Sequence, residues 1–366
     1  MYIPNKYLKI WVLFANVLLV NTVLNIETLS LQLVLSIAVY FIGKDIGKGA
    51  DAKRPKRKLV ISIIVLVVWF AFRNYIWHGD GVIQRLGMSY ILFRHIQYLV
   101  DSYKCRIKSY NLIDFINFIL FFPNFLAGPI DKYTNFKRWS DRNFNRSQKA
   151  LVLPGLGKIG IGIIKKYAFV PFIITYATDY HVLSESMGVF LGLGLSLIAY
   201  SAYIYLDFSG YSDIAIGTGY LMGIRTPENF RSPYLSTDLS AFWKRWHITF
   251  SDFLRDLIFI PFVKYLAKKQ SNWPRLLVSG IGYIVTFVLC GVWHGNTMNF
   301  IYWGLWHGIG LIGVKLWNKN VTMPFNLINN TAYNVLMMIV TFFYVTIGWM
   351  FFHYSHDQLI EIFSSL

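Results

Sequence analysis

Cysteine is nearly missing from this 366-residue chain. Cys105 and Cys290 are too few and too far apart for a disulfide framework or a cysteine metal cluster, so both read as ordinary thiols. Charge is scarce as well: 14% of residues are charged against 55% apolar, which departs from soluble globular usage. No His-Glu-x-x-His, Cys-x-x-Cys or phosphate-loop pattern occurs, leaving metal-protease, redox and nucleotide-hydrolysis readings without support. No metal site and no tightly bound cofactor is expected. Long repeats, heptad arrays and low-complexity tracts are also missing, so one domain over 1–366 is the economical expectation.

What is present is apolar sequence of bilayer-crossing length. Roughly ten runs occur, near 8–24, 28–43, 59–72, 86–100, 112–127, 151–177, 187–206, 277–293, 298–316 and 333–352, a count that follows from the span length a helix needs. They predict an all-α, multi-pass cell-membrane protein. The formal charge of +17 does not indicate nucleic-acid binding, because a soluble basic domain has no use for so many lipid-length runs. Lys and Arg gather instead in loops 53–58, 104–108, 132–149, 225–255 and 264–275, which the positive-inside rule assigns to the cytoplasm. There they can meet anionic lipid headgroups or an acidic partner. Lys6 and Lys9 precede the first run without a convincing cleavage site, so it reads as a retained helix. Loops 179–185 and 320–331 read as short outer connections.

Two segments break the simple pattern. Basic loops 101–110 and 128–149 are separated by one apolar run, which therefore should not cross; Pro123, Gly128 and Pro129 punctuate it, predicting a re-entrant hairpin. Residues 207–275 are too mixed for a lipid-facing span. After Pro233, an N-cap at Ser236, Asp238 or Ser240 starts a helix on which Trp243, Trp246, Phe250, Phe253 and Leu257 recur at three- and four-residue spacing. Arg245, Thr249, Asp252 and Asp256 form its polar stripe. His247 falls with the apolar set and should point into protein or membrane.

Histidines in Trp- and Gly-rich surroundings are the first candidates for chemistry, since an imidazole inside a membrane protein needs a reason to be there. His294 lies in Gly291-Val-Trp-His294-Gly-Asn296. Gly291 and Gly295 allow close approach, Trp293 can exclude water, and an unperturbed imidazole suits a general base. Asn296 and Trp306 are candidate partners for it. His247 lies in Phe242-Trp-Lys-Arg-Trp-His247, where Trp243, Lys244 and Arg245 suit a donor carrying phosphate, although a cytoplasmic helix surface explains the same residues. Thirteen residues on a continuous helix would turn His307 about 140° from His294, which reads His307 as structural. His78, His95, His181, His353 and His356 have no comparable setting. Arg255-Asp256 reads as an ion pair, and Asp207, Asp213 and Glu228 are expected to pair with Arg.

Several ordered blocks together resemble the membrane-bound O-acyltransferase family, in particular its bacterial branch acting on cell-envelope polymers. They are Leu86-Gly-Met-Ser-Tyr90, Phe121-Phe-Pro123 with Ala127-Gly-Pro-Ile130, Asp207-Phe-Ser-Gly-Tyr-Ser-Asp213, Pro227-Glu-Asn-Phe230, and the His247 and His294 motifs, covering about 86–316. The resemblance implies helices around a central tunnel and transfer of an acyl group from a thioester to a hydroxyl. It also implies His294 as the catalytic histidine, with His247 as the second histidine of the bacterial branch. The donor it implies is a phosphopantetheine-linked acyl carrier protein or acyl-coenzyme A. The acceptor is an extracytoplasmic polymer or an accessory acyltransferase. Gly128-Pro-Ile-Asp131 with Lys132-Tyr133, and no Gly-Gly pair after Phe259-Ile-Pro261, resemble the D-alanyl transfer group of teichoic acid modification, while Ile260-Pro261 itself resembles the acetylating group; D-alanyl transfer is the favoured expectation and acetyl transfer the alternative. A transporter or flippase using the histidines as a proton relay is the rival reading.

Overall fold

In a computed structural model, residues 5–49, 55–76, 82–142, 149–321 and 330–365 are described. His78, Lys53, Arg54, residues 143–148 of the basic loop and residues 322–329 of the expected outer loop lie outside them. Among the described residues there is no strand. The helices are α1 (Asn5–Asn21), α2 (Ile26–Lys48), α3 (Pro55–Ile76), α4 (Val82–Tyr103), α5 (Leu112–Leu120), α6 (Tyr133–Ser140), α7 (Lys149–Ile163), α8 (Val170–Thr178), α9 (His181–Met187), α10 (Val189–Leu221), α11 (Leu239–Trp243), α12 (Ile248–Leu254), α13 (Ile260–Lys269), α14 (Arg275–His294), α15 (Met298–Asn320), α16 (Thr331–His353) and α17 (His356–Ser365).

Five helical stretches, Ile26–Lys48, Ala150–Thr178, Val189–Leu221, Arg275–His294 and Thr331–His353, are long and apolar enough to cross a bilayer. The chain is an all-α polytopic membrane protein. Two expectations change. The 187–206 run extends through Leu221, so Asp207–Asp213 belongs to a 33-residue helix rather than opening a separate segment. Residues 181–185 of the expected outer loop are helical, within α9.

The chain folds as two compact units, one of residues up to Gly162 with Tyr211–Pro227, the other of Ile163–Gly210 with Glu228–Leu366. Each is assembled from two stretches of chain.

In the first unit the interrupted run behaves as its prolines and glycine predict. α5 has nine residues, about 13 Å at 1.5 Å per residue, far short of a bilayer core of about 30 Å. Ending a helix there strands carbonyls. The Arg94 guanidinium, 1% exposed, satisfies them, donating to the carbonyl oxygens of Phe118 at 3.2 Å, Ile119 at 2.7 Å, and Asn124. Asn16 Oδ1 accepts from Phe122 N at 3.1 Å, and Asn124 Nδ2 donates to Pro129 O at 3.1 Å. The chain then returns to where it entered: buried Asp114, at the start of α5, meets Lys137 at 3.0 Å and Ser140 at 3.2 Å from α6, and Lys9 at 2.8 Å. Paired cations offset the cost of a buried carboxylate. Asp213 pairs with Lys158 at 2.9 Å; in the second unit Asp207 pairs with Lys166. For these two aspartates the expected Arg partners are lysines.

In the second unit α14 and α15 form a tight hairpin. A Cβ on Gly291 would meet the Phe300 carbonyl oxygen, and one on Gly304 the Phe287 carbonyl oxygen, so both positions need glycine for the backbones to approach. Tyr180, Leu193, Leu197, Met350, Tyr354, Leu359 and Ile362 form an apolar cluster. A second body of rings, Tyr205, Phe230, Tyr234, Phe242, Trp246 and Trp349, packs at centroid separations of 5.1–6.4 Å.

Candidate active site

The periodic helix expected from residue 240 onward starts as predicted and then breaks. Asp238 caps it, its side chain accepting from Ala241 N at 2.7 Å, but α11 ends at Trp243 and α12 begins at Ile248. His247 sits at the junction with φ 43° and ψ 53°, a left-handed conformation that costs a non-glycine residue on the order of 1–2 kcal/mol. A neighbouring strand of chain holds it there. Ile248 N donates to Asn229 O at 2.8 Å, while Thr249 N at 3.3 Å and Thr249 Oγ1 at 2.7 Å both donate to Asn229 Oδ1. Arg231 N donates to Arg245 O at 3.0 Å just before it. Asn229 is fully buried. It is a positioning residue that the sequence offered only as part of the Pro227-Glu-Asn-Phe230 block, with no role of its own.

His247 is buried, its ring 4.7 Å from Phe208 edge-on and 4.9 Å from Phe250 in a stacked arrangement. Burial pushes its pKa down to about 3, with His294 adding to the effect. The imidazole is therefore neutral at physiological pH and can offer one donor and one acceptor. Pointing inward was expected; lying on a continuous helix was not.

His294 ends α14 and is half-buried. Its ring meets Trp293 at 4.4 Å, Phe352 at 4.9 Å, Trp303 at 5.4 Å and Phe300 at 6.3 Å. Phe250 links the two histidines, stacking on His247 and meeting Trp293 at 4.6 Å. Of the proposed partners, Asn296 is exposed in the turn after α14. Trp306 is otherwise engaged: its Nε1 donates to Tyr344 O at 3.0 Å, and Tyr344 Oη donates back to Trp306 O at 2.6 Å.

A cavity of about 240 Å³ opens beside this aromatic wall, lined by Ser240, Trp243 and Lys244 from the α11 region, Asp252 and Arg255, and apolar Leu254, Phe259, Phe287 and Leu311. Trp243 reaches Phe287 at 4.9 Å and Trp303 at 5.9 Å, so ring contacts run from the cavity through Trp303 to His294. Lys244 is exposed at its edge. Arg245 is not part of it; Nη1 donates to Leu235 O at 3.1 Å, bracing the preceding loop. The guanidinium at the cavity is Arg255, paired with Asp252 at 2.6 Å and Asp256 at 2.9 Å, the ion pair expected of Arg255-Asp256.

The helical angle that set His307 apart from His294 does not apply. The turn after α14 replaces the assumed continuous helix, and both His294 and His307 face Trp303, the latter at 4.9 Å. Among the described residues no group of three or more His, Cys, Asp or Glu side chains is placed to hold a metal.

Comparisons with known proteins identify the family. The description of the MBOAT, membrane-bound O-acyltransferase family matches residues 11–357. A teichoic acid D-alanyltransferase of Bacillus subtilis is 34% identical over 290 residues, 75% of this chain and 71% of that protein. A probable alginate O-acetylase of Pseudomonas syringae pv. tomato is 31% identical over 348 residues, 89% of this chain and 64% of that one. A teichoic acid D-alanyltransferase of Lacticaseibacillus rhamnosus is 34% identical over 233 residues, 60% of this chain and 56% of that one, so the chain spans less than two thirds of the length of the last two. With a match over nearly its whole length and a histidine-bearing aromatic site inside that match, the chain belongs to the membrane-bound O-acyltransferase family.

Proposed function

We propose that this chain moves a D-alanyl group from the thioester of a phosphopantetheine-linked carrier protein to a hydroxyl of a cell-envelope polymer such as teichoic acid, directly or through an accessory acyltransferase. The observation that carries the reading is the cavity whose Trp243 wall leads through Trp303 to His294. At about 240 Å³ it lies below the roughly 300–1,000 Å³ of a typical small-molecule pocket. It suits a narrow arm, with Lys244 at its edge for a phosphate and apolar side chains for the length behind it.

A thioester is already activated, so the remaining tasks are to exclude water, align the reactants and move a proton. His294 takes the proton of the attacking hydroxyl as the new C–O bond forms. It returns that proton to the sulfur as the C–S bond breaks, leaving an ester and a free thiol. Neutral His247, fixed by Asn229, orients the donor or relays the proton. Acetyl transfer to an exopolysaccharide or peptidoglycan is the second reading, favoured by alginate O-acetylase similarity over 89% of this chain.

The test offers labelled D-alanyl carrier protein and labelled acetyl-coenzyme A in parallel to membranes containing wild type or His294→Ala. D-alanyl transfer that disappears in a folded variant is expected. Transfer from acetyl-coenzyme A alone would replace the first reading with the second. Inactivity with both donors would favour a transporter.

A further inference from the structure

Three side chains next to the site, Trp303 and His307 buried and Trp243 half-buried where it meets the cavity, carry buried hydrogen-bonding atoms with no partner. Trp243, Trp303 and His307 form a triangle with centroid separations of 5.9 Å, 5.1 Å and 4.9 Å. Nε1 of both indoles and both ring nitrogens of His307 are buried and make no hydrogen bond. Trp303 is 1% exposed and His307 0%. Buried polar atoms are nearly always satisfied, and four unsatisfied ones on three neighbouring rings call for a group that completes them. Packing alone does not account for them, because leucine or phenylalanine would fill the space without stranding a donor. Gly348 lets the His307 ring lie close against its helix: a Cβ there would stand 2.9 Å from His307 Nε2.

The chemistry of the atoms defines their ligand. An indole N–H donates and cannot accept, so two of them call for an acceptor oxygen and exclude an ammonium group. The position defines which oxygen. Trp243 lines the cavity and Trp303 faces His294 at 5.4 Å, which puts the triangle between the point of donor entry and the base.

We propose that Trp243, Trp303 and His307 form the subsite that receives the acyl carbonyl oxygen and holds its negative charge during transfer; this rests on the reading of His294 as the base. When the acceptor hydroxyl attacks, a C–O bond forms, the carbonyl π pair moves onto oxygen, and the hydroxyl proton goes to His294. The indole N–H groups and one His307 N–H donate to that oxyanion, which is worth most in a site closed to water. The pair then returns to reform the carbonyl, the C–S bond breaks, and sulfur leaves with the proton from His294. The subsite binds the carbonyl of any acyl thioester, so it sets rate rather than acyl choice.

The test measures transfer by purified wild type, His307→Leu, His307→Gln, Trp243→Phe and His294→Ala, together with donor KM and thermal midpoint. His307→Leu should lower kcat by about 10²-fold, the cost of one oxyanion donor, with donor KM within about threefold of wild type. Its thermal midpoint should be unchanged or higher, since no hydrogen bond is lost. Trp243→Phe should lose rate likewise, and His307→Gln, which keeps an N–H, should recover part of it. A kcat within about threefold of wild type in both His307→Leu and Trp243→Phe, with His294→Ala inactive, would overturn the subsite and leave the base assignment standing. A His307→Leu variant that loses thermal midpoint along with rate, with His307→Gln no better, would make His307 structural. Full transfer by His294→Ala would overturn the acyl-transfer mechanism and the subsite with it.

Discussion

Replacing Asn229 by alanine tests whether the left-handed turn at His247 matters for transfer. Asn229 is fully buried, and its Oδ1 accepts from both the backbone N and the hydroxyl of Thr249. Two net contributions of about 1 kcal/mol each are lost, roughly 2 kcal/mol in all. That is smaller than the roughly 5–15 kcal/mol stability of a typical domain, so the variant should fold with a lowered thermal midpoint. The backbone bond from Ile248 N to Asn229 O survives the substitution, so the turn loosens rather than dissolves. A displacement of about 1 Å at a catalytic group costs on the order of 10²-fold in rate. The assay is labelled D-alanyl transfer at equal folded protein, read beside Thr249→Val, which removes only the hydroxyl and should lose less on both scales. If Asn229→Ala lowers the thermal midpoint but transfers at the wild-type rate, the placement of His247 is not what the clamp provides.

Other consequences can be checked independently. Arg94→Met strands three carbonyls at the broken end of α5, each at about 1–3 kcal/mol, so detergent-extracted protein should lose its monodisperse size-exclusion peak. Lys158→Met or Asp213→Asn alone removes one partner of a part-buried pair and should lower the thermal midpoint, while the double variant should lose less than the sum of the two. His247 has its pKa lowered to about 3 by burial, so the folded state favours the neutral ring. Its stabilisation is complete above the ordinary value near 6.5 and is lost as pH falls towards 3, by about 2 kcal/mol at pH 5. His247→Asn, which tolerates the left-handed turn, should make the fall in thermal midpoint between pH 7 and 5 shallower than in wild type.

The sequence carried the membrane class, the interruption of 112–127 and the aromatic setting of His247 and His294, because each depends on local signals. Apolar run length, Pro123 with Gly128 and Pro129, and imidazoles among Trp and Gly all act within a few residues. What it hid came from contacts between distant segments. The 3–4 spacing of Trp243, Trp246, Phe250 and Phe253 continues through His247, yet the helix breaks there because Asn229 supplies partners for Ile248 and Thr249. Helical angle separated His307 from His294, but the turn after α14 folds α15 back, and both rings meet Trp303. Arg245 looked like a phosphate ligand beside Lys244; a loop carbonyl claims it. Arg94 drew no notice as one charge in an apolar run, although it supports the end of the hairpin's first helix.

The central claim, that His294 removes the proton of the accepting hydroxyl, is tested most directly by single-turnover transfer from a preloaded D-alanyl carrier to acceptor, comparing wild type with His294→Ala at matched thermal midpoint and donor affinity. The account predicts that the variant binds the donor normally and transfers at least about 10²-fold more slowly, the low end of what a general base contributes. Transfer within a few-fold of wild type would contradict it.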